Sequence, residues 1–99
     1  MENKYGKNAK IFKALSDSNR LKIIDMLSCG ELCACNILEE FNITQPTLSH
    51  HMKILKELEL VTIRREGKWM YYNLNEEKIN EFKDFINILT TSKSNCICK

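Results

Sequence analysis

The chain has 99 residues, enough for one domain, and it is short enough that a partner subunit would help it bury apolar surface. Hydrophobic residues at 43% and charged residues at 28% exclude a wholly disordered chain; a net charge of +2 is too small to mark a nucleic-acid binder by total, so any basic surface has to come from placement. Three glycines, one proline and no repeat leave no internal linker, and the opening Met1-Glu2-Asn3-Lys4 carries neither a signal peptide nor a transmembrane span, so a cytoplasmic protein is expected, its five cysteines largely reduced.

Tyr5, Ala9, Phe12 and Leu15 recur at helical spacing while Lys4, Lys7, Lys10 and Lys13 point elsewhere, which predicts a first amphipathic helix with a solvated basic face. Asp17 or Ser18 can cap a second helix that carries Leu21, Ile23, Ile24 and Leu27 and ends near Gly30. A third, shorter helix is expected over residues 34–41. After a tight connection at Asn42-Ile43, Thr44 can cap a fourth helix running to about Leu58, with Pro46 in its first turn, where a missing donor does little harm. Two helices joined by a turn of three or four residues suggest a helix-turn-helix.

Residues 61–65 and 69–74 are rich in β-branched and aromatic side chains around Glu66-Gly67-Lys68, which predicts a hairpin, the wing. Asn75 can cap a last helix with Glu76 and Glu77 in its first turn and an apolar stripe of Ile79, Phe82, Phe85, Ile86 and Leu89. The expected fold is mainly α with a small β-hairpin, a winged helix-turn-helix over residues 1–91 followed by a flexible cysteine-containing tail at 92–99.

Projected at 3.6 residues per turn, the fourth helix puts Leu48, Met52 and Leu55 on one side, flanked by His51 and Leu58, and turns Gln45, Ser49, His50, Lys53 and Lys56 away. Gln45, Thr47, Ser49 and His50 are candidates for base edges in a major groove, and Lys53 for a phosphate. Taken alone, such a helix could be merely solvated. Followed directly by a ribbon carrying Arg64, Arg65 and Lys68 as a backbone clamp, it points to double-stranded DNA. His50 and His51 project about 100° apart and do not face one ion, so His51 is read as a core-edge residue.

Glu31-Leu32-Cys33-Ala34-Cys35-Asn36, Thr44-Gln45-Pro46-Thr47-Leu48-Ser49-His50-His51-Met52-Lys53 and Gly67-Lys68-Trp69-Met70-Tyr71-Tyr72 resemble, in that order and spacing, the cysteine box, recognition helix and wing of the ArsR/SmtB family of metal-responsive repressors. The likeness covers nearly the whole chain. It implies a homodimer paired through the first and last helices, which binds a near-palindromic operator without any cofactor and falls off when its inducer arrives. The apolar stripes of those helices agree with such pairing; the alternative is that they serve only the internal core.

Thiolates prefer soft ions, and the resemblance makes Cys33 and Cys35 candidate ligands for As(III) or Sb(III). Arsenic-responsive members of this type place a third cysteine three residues after the second, where this chain has Leu38, so a third thiolate is expected from Cys96 or Cys98 on the tail, or from Cys29. Cadmium- and lead-sensing relatives complete a Cys-x-Cys box from elsewhere in the chain, which keeps Cd(II) or Pb(II) as an alternative. Zinc-sensing relatives place carboxylates and histidines on the last helix, and residues 76–91 contain no histidine. Because Cys33 and Cys35 stand at the entrance to the third helix, drawing their sulfurs together is expected to distort the first half of the helix-turn-helix.

Three rivals remain open at this level. A thiol redox switch on the same scaffold would form disulfides under oxidant. A metal-buffering protein would use the five thiols and leave the reading helix unexplained. An enzyme would need a base near Cys33 or a phosphate loop, and the sequence offers neither, so no catalysis is expected.

Overall fold

A computed structural model describes residues 3–94; Cys96 and Cys98 lie outside the described residues. Each helix starts where a short polar side chain can satisfy its first free backbone N–H groups. Asn3 accepts from Gly6 N–H at the head of α1 (Lys4–Leu15), and Asp17 accepts from Asn19 and Arg20 N–H at the head of α2 (Ser18–Leu27). Thr44 caps α4 (Gln45–Glu57) through Thr47 N–H, and Asn75 caps α5 (Glu76–Thr90) through Lys78 N–H. Between α2 and α4 come a two-residue strand, β1 (Leu32–Cys33), and α3 (Ala34–Glu39).

The end of α4 closes through two backbone bonds. Leu60 N–H donates to the Leu55 carbonyl at 3.0 Å and Glu59 N–H to the Lys56 carbonyl at 2.9 Å, with Glu59 at φ 62°. This is the helix stop usually made by glycine; here a glutamate occupies the left-handed position while Leu60 sinks into the core. The chain then runs into the wing strands β2 (Val61–Glu66) and β3 (Trp69–Leu74), joined by Gly67-Lys68 with Gly67 at φ 61°.

The sheet has three strands in the order β1-β3-β2, all antiparallel, with Leu32 opposite Tyr72 and Cys33 opposite Tyr71. The hairpin is as the sequence predicts. β1 was not expected: two residues are too few to show strand alternation, and only docking against β3 defines them. α3 is two residues shorter than expected, and residues 40–44 form a correspondingly longer turn.

Ile11, Ile23, Leu27, Ile37, Leu48, Met52, Leu55, Leu60, Val61, Tyr72 and Phe82 form one buried cluster. Burying each large apolar side chain is worth about 1.5–3 kcal/mol, so this cluster is what holds α4 and the wing in fixed relation. Phe12 packs on Phe82 and Tyr5 on Phe85, which joins α1 to α5. No helix among the described residues is long and apolar enough to cross a membrane.

Candidate functional site

Leu48, Met52 and Leu55 are buried on α4 and Gln45, Ser49, His50 and Lys53 are exposed, as the helical projection predicts; Thr47, which the projection does not place, is exposed as well. Two of these side chains have local partners: the Thr47 hydroxyl lies 2.9 Å from the Thr44 hydroxyl, and Lys53 Nζ is 4.0 Å from Glu57. An exposed pair of that kind contributes little to stability and leaves the ammonium available.

His51 faces the other way and is buried. Its Nδ1 accepts from Arg20 Nη1 at 2.9 Å, while Arg20 Nε donates to the Ala14 carbonyl at 2.7 Å and Nη1 lies 3.9 Å from Asp17. This ties α4 to the α1–α2 corner and requires a neutral imidazole. Burial pushes the His51 pKa down, with Arg20 and His50 adding to that and Asp17 opposing it. Arg20 was not singled out from the sequence, since nothing local connects it to a histidine 31 residues away.

On the wing, Arg64 is taken up by carboxylates. Its Nε and Nη2 donate to Glu31 at 3.1 and 2.8 Å, its Nη1 donates to Glu66 at 2.7 Å, and its guanidinium lies 4.4 Å from the Tyr71 ring centre. Asn73 Nδ2 adds a 2.7 Å bond to Glu31. The Arg64 bond first and the Asn73 bond second hold the Glu31 carboxyl down at about 2, and the same carboxylates push Arg64 up. Among the described residues Arg65 and Lys68 have no carboxylate partner: Arg65 Nη2 reaches Met70 Sδ at 3.7 Å and Lys68 Nζ lies 5.6 Å from the Trp69 ring centre.

Cys33 is buried and serves as the cap of α3. Its sulfur accepts from Asn36 N–H at 3.3 Å, and Asn36 Oδ1 accepts from Cys33 N–H at 3.2 Å. The same Oδ1 lies 3.0 Å from Cys33 Sγ, a contact in which a reduced thiol donates. Cys33 is joined to exposed Cys35 by a disulfide, with Cα atoms 5.3 Å apart. α3 begins at Ala34, directly after the bonded Cys33. Cys29 is exposed and free. Among the described residues no three His, Cys, Asp or Glu side chains gather where they could share a metal ion.

Residues 17–62 match the family model described as bacterial regulatory protein, arsR family. The arsenical resistance operon repressor of Staphylococcus aureus is 52% identical over 95 residues, covering 96% of this chain and 91% of that protein. A cadmium resistance transcriptional regulatory protein of Staphylococcus aureus, a CadC homolog, is 45% identical over 74 residues, 74% of this chain and 61% of that protein. Among solved structures, the homodimeric winged helix-turn-helix DNA-binding domain from Mycobacterium bovis superposes with a TM-score of 0.68 at 31% identity, covering 84% of this chain and 78% of that one.

Proposed function

Because the chain belongs to the ArsR family of bacterial transcriptional regulators, we propose that it is a homodimeric repressor that releases operator DNA when Cys33 and Cys35 take up As(III) or Sb(III). Gln45, Thr47, Ser49 and His50 read base edges, while Lys53, Arg65 and Lys68 hold phosphates. Arg64 acts mainly by fixing the wing to Glu31. The reading as a metalloid sensor draws on the staphylococcal arsenical relative, and the cadmium relative supports Cd(II) or Pb(II) as the alternative inducer.

One observation carries the mechanism: Cys33 belongs at once to the strand paired with the wing and to the cap of α3, the first helix of the helix-turn-helix. A sulfur bonded to arsenic has lost the thiol proton that Asn36 Oδ1 accepts, which weakens the cap. Loss of such a cap costs about 1 kcal/mol, inside the range of about 1–3 kcal/mol over which effectors ordinarily couple to a second site. The wing receives the change directly and the reading helix receives it through α3. Inorganic arsenite needs a third thiolate, for which Cys96, Cys98 and Cys29 are the donors to test.

The test is fluorescence anisotropy of a labelled inverted-repeat duplex under reducing conditions. Arsenite should release the duplex from the wild-type chain, and the Cys33→Ser, Cys35→Ser double variant should stay bound. Normal release from the double variant would refute the site. Parallel titrations with antimonite, cadmium and lead separate the inducers. The disulfide between Cys33 and Cys35 favours one second reading, a thiol redox switch, which predicts release by peroxide with no metal present.

A further inference from the structure

A cavity of about 250 Å³ lies between α3, the start of α4 and the wing, and Cys35 is part of its wall. Leu38 from α3 and Trp69, Met70 and Tyr72 from β3 make much of its lining apolar, while Gln45 and Ser49 of the reading helix border it. Nothing in the proposed chemistry of inorganic arsenite uses this space.

We propose that the cavity is a subsite for the organic substituent of a monosubstituted trivalent arsenical, with Cys33 and Cys35 as its only sulfur ligands. The inference rests on the proposed thiolate site and specifies which inducers it accepts. Trivalent arsenic forms three bonds. A carbon substituent supplies one of them, so two sulfurs complete the set, and the described residues bring together two cysteine sulfurs with no third His, Cys, Asp or Glu beside them. The exchange balances without redox chemistry: R–As(OH)2 and two thiols give R–As(S–Cys)2 and two waters, with two As–O and two S–H bonds broken and two As–S and two O–H bonds formed. The reduced pair is required, because the disulfide offers no thiol to exchange.

Size and chemistry agree with that occupant. An apolar cavity of roughly 150 Å³ is already enough to admit benzene, so the larger space here accepts a methyl or phenyl group held beside Cys35. Burying the substituent against Leu38, Trp69 and Met70 removes apolar surface from water, a gain that arsenite cannot make. The substituent then stands beside Gln45 and Ser49, between the reading helix and the wing. Release of DNA therefore follows from two sulfur bonds and a wedge, with the tail thiols unnecessary.

Phenylarsine oxide is the probe, and Trp69, the only tryptophan of the chain, reports occupancy through its emission. The full-length Cys29→Ser, Cys96→Ser, Cys98→Ser variant, kept reduced, should bind one equivalent per subunit, change Trp69 emission in step with binding, and release DNA at a concentration at least about tenfold below the arsenite requirement. Wild type should show the same emission change at one equivalent, which keeps the test independent of the variant's folding, and Cys33→Ser with Cys35→Ser should abolish it. One equivalent bound, by mass spectrometry, with unchanged Trp69 emission would overturn the subsite. So would an equal dependence of both arsenicals on the three removed thiols. If arsenite and phenylarsine oxide both fail to release DNA from wild type while Trp69 still responds, the subsite stands and the repressor mechanism falls.

Discussion

His51 shows how one buried side chain makes the reading helix sensitive to pH. Its Nδ1 accepts from Arg20, so only the neutral ring fits, and burial lowers its pKa below the ordinary 6.5. The unfolded chain therefore binds the proton more readily. The stability tied to this contact is complete above pH 6.5 and is lost as the pH falls through the lowered folded value. His51→Asn keeps an acceptor near the Nδ1 position and removes the titration, so urea midpoints measured from about pH 7 down to about pH 5 should decline less than in wild type; parallel declines would assign the titration elsewhere. Glu31 behaves in the opposite chemical sense with the same sign. Its carboxyl is held at about 2 instead of 4.5 by Arg64 first and Asn73 second, so the stability it lends is complete above 4.5 and disappears as the pH falls towards 2. Glu31→Gln should flatten that acid limb and weaken amide exchange protection at Tyr71 and Asn73, while an unchanged limb would contradict the pairing.

Among the elements, α3 is the most exposed to its sensor, because six residues depend on a cap built from Cys33 and Asn36. Asn36→Ala removes the acceptor for Cys33 N–H and should cost about 1 kcal/mol in the reduced protein, with a smaller difference in DNA affinity between empty and loaded forms; an undiminished difference would mean that the cap does not transmit the signal. The stop of α4 offers a change in the other direction. Glu59 sits at φ 62° with an exposed side chain, where glycine meets no steric penalty. Glu59→Gly should raise stability by about 0.5–1 kcal/mol, read from chemical denaturation, since relief of left-handed strain exceeds the added unfolded-state entropy. A loss of stability would show that the glutamate side chain does more than bridge the turn.

At the scale of the whole molecule, the α1–α5 face carries more apolar surface than the chain covers by itself. Tyr5, Phe12, Ile88 and Leu89 remain exposed although Phe12 and Tyr5 already pack against Phe82 and Phe85. A two-fold partner on this face would bury them and set two reading helices about one DNA turn apart. Ile88 and Leu89 are 58% and 49% exposed, so lysine at both positions should leave the fold intact. Sedimentation should then show monomers in place of dimers, and operator affinity should fall by at least about tenfold; dimers that persist would move the interface to another face.

Hydrogen bonds spanning three or four residues are written in neighbouring side chains, which is why Asp17, Thr44 and Asn75 could be named as caps, and the Gly67 turn and the buried face of Leu48, Met52 and Leu55 placed, before any coordinates. The exposed candidates on α4 follow from the same periodicity. The cysteine box was legible as a pair of soft donors. Its attachment to the wing was not: Glu31 reaches Arg64 across 33 residues and Asn73 across 42, and β1 exists only because Leu32 and Cys33 dock on β3. Arg20 with His51 and the cavity beside Cys35 belong to the same class. The chain's own order determined its helices, its hairpin and its chemistry-bearing residues, because those depend on local backbone satisfaction and hydrophobic spacing. Which of those residues touch was decided by the burial of one shared core, a property of how the elements dock and of no single segment.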